Sequence, residues 1–287
     1  MSYRTILLHL DESANAAERI RLATRLALLN EAQLIGVAMT GISRFLYNKE
    51  LVDDHDPHLT LHLNVLRDKA RHALDGFLPR VRELGLHSAE EHVVDDDAGT
   101  GLSLHARYAD LLVIGQTDPA RSTPLLGDLP GHVILHAGRP VLVVPHAGAV
   151  PDSLRNVLIA WDASKEAARA VSAALPLLRR AEQVGLAMFD PEDNSAGLQG
   201  GQPGADIQQY LARHGVRAEL LLRHSPRQGL LNRPDSVGEA LLALAAERKA
   251  DLLVLGAYGH SRFRETLLGG VTRTVLDEMT IPVLMAH

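Results

Sequence analysis

The sequence has no cysteine, and only 3% of its 287 residues are aromatic. Without thiols there can be no disulfide scaffold, iron–sulfur cluster, cysteine-ligated zinc or thiol nucleophile, and the chain suits a reducing compartment. So few rings leave little on which nucleic-acid bases could stack. Positive charge is short too: 29 Lys and Arg against 35 Asp and Glu give a formal net charge of -6. That balance offers no general field to a polyanionic backbone or an anionic membrane, so neither nucleic acid nor membrane is expected as a partner. Long apolar runs are also missing. Nowhere do eighteen apolar residues follow one another without a charge, so no transmembrane helix is expected. The first apolar stretch, Ile6-Leu7-Leu8, reaches Asp11 too soon to be a signal-peptide core. The expected location is cytoplasmic.

What the chain does have is a repeat. Its length fits two domains of roughly 150 residues each. Sliding the second half over the first places Ile6-Leu7-Leu8-His9-Leu10-Asp11 on Val157-Leu158-Ile159-Ala160-Trp161-Asp162. Ser13 then falls on Ser164, and Ala16, Ile20, Ala23 and Ala27 fall on Ala167, Val171, Ala174 and Leu178. The apolar positions follow one buried helix face, with the serine as expected N-cap. Towards the end of each half, Ala109-Asp110-Leu111-Leu112-Val113-Ile114-Gly115 repeats as Ala250-Asp251-Leu252-Leu253-Val254-Leu255-Gly256, and Arg139-Pro140-Val141-Leu142 as Ile281-Pro282-Val283-Leu284. Agreement at both ends of each half points to a tandem duplication.

Each half reads as five strands alternating with helices, the second-half strands falling at about 156–161, 183–189, 216–222, 251–256 and 282–286. Short continuous apolar runs separated by helical periodicity predict an α/β fold whose parallel sheets are covered on both faces. The small, proline-bearing stretch His146-Ala147-Gly148-Ala149-Val150-Pro151-Asp152 reads as a linker, giving domains of 1–147 and 152–287. Between their second and third strands the halves diverge. The first carries Thr40 to His58 and then one long helical pattern to about Glu83, whereas the second has a Gly-rich stretch, 194–201, that reads as a surface loop.

A buried strand followed by Gly256-Ala257-Tyr258-Gly259, with Gly269-Gly270 further on, is an arrangement that lets main-chain amides approach an anion such as phosphate. A helix starting near Gly270 would aim free N–H groups at the same place. The same glycines also suit a plain turn. Here the sequence resembles the universal stress protein family, whose nucleotide-binding members carry Gly, two residues, Gly, nine residues, then Gly with Ser or Thr. Gly256, Gly259 and Gly269 have that spacing, Asp162 stands where the family has its adenine-pocket aspartate, and the resemblance covers nearly the whole chain, once per half. It implies two tandem doubly wound domains, each a five-stranded parallel sheet with helices on both faces. It also implies ATP, possibly with Mg2+, held in the second half: Asp162 near the adenine, main chain of Ala187 and Met188 near the ribose or base, and Gly256, Gly259, Gly269, Gly270 and Val271 around the phosphates.

The chain departs from that pattern at Gly270, where a Ser or Thr hydroxyl is missing. A hydrogen bond to a charged group is worth about 1.5–3 kcal/mol, so affinity should fall by about one to two orders of magnitude without vanishing. His260, Arg262, Arg264 and Arg273 lie around the loop, either as solvated charge or as compensating phosphate ligands. The first half departs further: Asp118 replaces the second glycine and Asp128 takes the position of Gly270, so two carboxylates would face any phosphate. This half is read as structural or regulatory. For Asp11 a turn-closing role is favoured; for Asp162 the glycine loop favours a ligand role.

Other signals are bland by comparison. Asp53, Asp54, His55, Asp56, His58 and His62 could hold a divalent ion, but a solvated helix start is the favoured explanation. Asp95-Asp96-Asp97 before Ala98-Gly99-Thr100 reads as a helix cap. There is no Gly-x-Ser-x-Gly elbow and no Gly-x-x-x-x-Gly-Lys loop. By the resemblance, the last strands Val141-Leu142-Val143-Val144 and Val283-Leu284-Met285 would pair the halves as an intramolecular pseudo-dimer, with a further homodimer left open. The expected function is a nucleotide-binding stress sensor or adaptor with an unidentified protein partner. The alternatives are a nucleotide-free scaffold and a slow ATP phosphohydrolase.

Overall fold

The computed structural model describes residues 2–42, 57–120, 128–148, 150–190, 204–224, 235–259 and 270–287. In the first half the elements are β1 (Thr5–His9), α1 (Ala16–Asn30), β2 (Gln33–Met39), α2 (Pro57–Leu74), α3 (Phe77–Glu83), β3 (Ala89–Val94), α4 (Ala98–His105), a 3-10 turn (Ala106–Tyr108), β4 (Leu111–Gly115), α5 (Leu129–His136) and β5 (Val141–Val144). The second half continues with β6 (Asn156–Ala160), α6 (Lys165–Leu178), β7 (Gln183–Phe189), α7 (Ala205–Arg213), β8 (Glu219–Arg223), α8 (Asp235–Glu247), β9 (Leu252–Gly256), α9 (Gly270–Glu278) and β10 (Val283–Ala286). Two compact units divide the chain: Ser2–Val141 with His146–Ala149, and Val150–His287 with Leu142–Pro145.

The first four strands lie in the order β3-β2-β1-β4, and those of the second half in the order β8-β7-β6-β9-β10. The pairings are parallel: Ile6 faces Leu34 and Leu111 across its two neighbours, as Val157 faces Val184 and Leu252. Ile6, Leu7 and Leu8 in β1 and Val157, Leu158 and Ile159 in β6 are all buried, which requires cover on both faces of each sheet. The repeated Ala-Asp before β4 and β9 has a structural cause. Asp110 accepts the N–H groups of Arg4 at 2.6 Å and Thr5 at 3.0 Å, and Asp251 those of Arg155 at 3.1 Å and Asn156 at 2.9 Å, so each carboxylate pins the start of the first strand beside the fourth.

Three expectations need correction. The long helical pattern reaching Glu83 is two helices, because Gly76 turns left-handed (φ +78°) between α2 and α3. The strand expected from Val216 begins at Glu219, since Val216 closes α7: its N–H donates to Leu211 O at 2.9 Å, Gly215 (φ +79°) donates to Ala212 O at 2.9 Å, and the Val216 side chain is buried. That pairing of bonds is a Schellman stop. Ser164 caps α6 by accepting the Ala167 N–H at 3.0 Å, but Ser13 does not cap α1. It is bonded to Asp11 instead, and Asn15 precedes the helix. The Gly-rich stretch 194–201 lies outside the described residues.

Candidate functional site

In each half the first strand lies between the second and the fourth, so the chain leaves its carboxyl end in a crevice flanked by two diverging connections. Open α/β sheets bind ligands at such switch points. In the second half Ile159 faces Val254, so the continuing chains bring Trp161 and Asp162 alongside Gly256 and Ala257. Asp162 is exposed, and its Oδ1 accepts the Ser164 N–H at 3.0 Å, closing the turn into α6. Ala187 and Met188 are buried in β7, and the Ala187 carbonyl accepts the Trp161 N–H at 2.9 Å. Trp161 and Tyr210 line a cavity of about 290 Å3 together with Ala168, Val171, Asp206 and Ile207.

Gly256 is glycine for a reason the spacing did not suggest. A Cβ there would strike Ala167 N and lie 2.6 Å from Glu166 C and 2.9 Å from Ala167 Cα, so the backbone of α6 closes directly on the end of β9. Beyond it, the Tyr258 N–H donates to the buried Thr272 hydroxyl at 3.3 Å, and His287 Nδ1 lies 3.0 Å from Ala257 O. Ala163 (φ +61°) and Tyr258 (φ +56°) are both left-handed non-glycine residues, whereas their first-half counterparts Glu12 and Thr117 are not. Strain of this kind gathers at ligand sites. Gly270 and Val271 open α9, and the first-turn N–H groups of a helix have no intrahelical acceptor. Gly269, His260, Arg262 and Arg264 lie outside the described residues; Arg273 is exposed, its Nε 3.5 Å from Asp277.

The same place in the first half is filled from within. Arg19, 2% exposed, donates through Nε to His9 O at 3.0 Å, through Nη1 to Ser13 Oγ at 3.2 Å and through Nη2 to Asp11 Oδ1 at 2.6 Å. A Cβ on Gly115 would strike Arg19 Nη1, so this glycine makes room for a guanidinium. Burial raises the Asp11 carboxyl, but Arg19, His9 and the Ser13 hydrogen bond outweigh it and hold Asp11 well below the usual carboxylate range. Burial pushes the His9 imidazole down to about 4, Asp11 drawing it partly back and Arg19 lowering it further. Asp128, expected to face a phosphate, caps α5 by accepting the Gly131 N–H at 3.1 Å, and Asp118 accepts the Ala120 N–H at 2.9 Å in a local turn. Sequence reasoning missed Arg19. Its signal was a charge within the apolar stripe Ala16, Ile20, Ala23, where the second half has Ala170.

The pattern of the Universal stress protein family matches residues 2–145 and again 153–287. The chain belongs to the universal stress protein family. A universal stress protein of Synechocystis sp. is 44% identical over 46 residues, a match spanning 16% of this chain and 16% of that relative's length. A solved universal stress protein from Archaeoglobus fulgidus DSM 4304 aligns with TM-score 0.68 at 18% identity, covering 98% of this chain and 95% of that one. A protein of unknown function from Pseudomonas aeruginosa PAO1 aligns with TM-score 0.58 at 16% identity, covering 99% of this chain and 92% of that one. At such identities the two structures attest the α/β fold shared with this universal stress protein.

Of the remaining expectations, Asp97 caps α4, accepting the Thr100 N–H at 2.9 Å. Burial raises its carboxyl, and its bonds to Thr100 bring it below the ordinary value. Asp53, Asp54, His55 and Asp56, and the side chain of His58, lie outside the described residues; among the described ones no three His, Asp or Glu side chains gather as a metal site. No described helix is long and apolar enough to cross a membrane. A further cavity of about 500 Å3 lies in the first half against Leu7, Ile35, His92, His105 and Tyr108, and neither Asp11 nor Gly115 lines it.

Proposed function

We propose that this universal stress protein is an adenine-nucleotide sensor or adaptor that holds ATP in the crevice of its second half, domain 152–287. The observation that carries the reading is the approach of the loop after β9 to the start of α6, where a Cβ on Gly259 would lie 3.5 Å from the hydroxyl of Ser164, whose N–H donates to Asp162, and to α9 through the Tyr258–Thr272 hydrogen bond. In this reading Asp162 accepts from the base, the main chain of Ala187 and Met188 borders the ribose or base, and amides of Gly259, Gly269, Gly270 and Val271 bond phosphate oxygens, aided by the positive end of α9. The first half, domain 1–147, takes no nucleotide because Arg19 fills its crevice and satisfies Asp11.

Trp161 is the chain's one tryptophan and borders the crevice, so its emission reports occupancy. Titrating ATP with Mg2+ into stripped protein should change that emission saturably and raise the thermal midpoint. No change in either up to millimolar ATP would overturn the reading. It would favour a nucleotide-free interaction scaffold, for which the missing hydroxyl at Gly270 speaks.

A further inference from the structure

Glu166 is the second residue of α6, and its side chain is 2% exposed. Oε1 is fully enclosed with no hydrogen-bond partner. Lys165 Nζ lies 3.4 Å from it, on a side chain that is itself 62% exposed. The carboxylate is aimed at the loop after β9: a Cβ on Gly259 would lie 3.1 Å from Glu166 Oε2 and 3.5 Å from Ser164 Oγ. In the first half the equivalent residue is the neutral Asn15.

A buried carboxylate whose Oε1 accepts no hydrogen bond, and whose cationic neighbour is a largely exposed lysine, is costly to hold ionised. The position at the start of α6 helps, since the helix dipole favours negative charge there, but a dipole does not occupy the lone pairs. Set against a phosphate at Gly259, the same carboxylate would repel it. A hard divalent cation at Oε2 would offset the buried charge and stand between it and the phosphate; such ions are usually held by one or two carboxylates together with phosphate oxygens and water. Among the described residues no second or third ligating side chain gathers there. In this arrangement phosphate oxygens of the nucleotide supply further ligands.

Resting on the nucleotide reading above, we propose that Glu166 is the protein's own ligand to a divalent cation carried in with the phosphates, and that nucleotide binding in this crevice therefore requires the cation. The test is a Trp161 emission titration with ATP, in Mg2+ and in EDTA, on the wild-type chain and on Glu166→Gln. Adenosine, which lacks phosphate, is titrated alongside. The wild type should bind ATP about tenfold or more weakly in EDTA. Glu166→Gln should bind in EDTA more tightly than the wild type and lose most of the difference between buffers, with adenosine unaffected throughout. Glu166→Asn, which carries the first half's residue, gives a second variant whose thermal midpoint reports the fold. Equal wild-type affinity in the two buffers, or a full Mg2+ dependence kept by both variants, overturns the role of Glu166 and leaves the nucleotide reading standing. Adenosine and ATP both failing to bind in either buffer overturns the nucleotide reading and the cation role with it.

Discussion

His9 and Arg19 show how single side chains set the two halves apart. The second half has Ala160 and Ala170 at these positions, small residues that ask nothing of their surroundings. In the first half a cation is buried at the strand end, and the imidazole beside it is held neutral with its Nδ1 unpartnered. The pH consequence follows from the sign of that shift. With a folded value of about 4 against an ordinary 6.5, the unfolded chain binds the extra proton first. The stabilisation from a neutral His9 is therefore complete above pH ~6.5 and is lost as pH falls towards ~4, amounting to about 3 kcal/mol. Asp11, whose carboxyl is held low, adds a further loss in still more acid solution. Urea midpoints measured from pH 7.5 to 4.5 should fall more steeply for the wild type than for His9→Ala. Parallel profiles would mean that His9 titrates normally in the fold.

At the scale of elements, the contrast between Gly115 and Gly256 is the most informative. Both end a buried strand and both look like the first glycine of a phosphate loop. A Cβ on Gly115 would meet the tip of an arginine, but a Cβ on Gly256 would meet the backbone of α6, which cannot swing aside. Gly256→Ala should therefore destabilise the second half by about 2–3 kcal/mol or more, as overpacking of a close helix–strand contact does. A thermal or urea midpoint unchanged from wild type would show that α6 does not sit against β9. The same geometry bears on Gly259. An aspartate there, as in the first half, would place a second carboxylate beside Glu166, so it would disturb the turn whether or not a phosphate binds. Strands β1, β4, β6 and β9 were legible because buried parallel strands are continuous apolar runs, and Ser164 and Asp97 because cap chemistry is local. The division at Gly76 and the late start of β8 were not. Both depend on a glycine turning left-handed at a helix end, and glycine in a sequence does not declare the sign of its φ.

For the whole molecule, the repeat in sequence is a repeat in fold, and duplication followed by divergence accounts for what sequence reading found and missed. Positions shared by the halves, such as Asp110 and Asp251 or the apolar faces of α1 and α6, could be found by comparing the halves with each other. Positions that differ carry the functional contrast, and these needed coordinates: Arg19 against Ala170, and Asn15 against Glu166. A charge can be read from a sequence, but whether it points into a crevice or into water cannot. The replacement of glycines by Asp118 and Asp128 was legible in the sequence, but the N-cap bond of Asp128 and the burial of Arg19 against Asp11 were not.

The central claim is one nucleotide site per chain, in the second half. Calorimetric titration of nucleotide-stripped protein with ATP and Mg2+ tests it most directly, because stoichiometry and affinity come from one experiment. A single site per chain, with an affinity weakened by the missing hydroxyl at Gly270, is the predicted result. Two sites per chain would contradict the closure of the first crevice by Arg19, and no heat of binding at millimolar ATP would contradict the claim altogether.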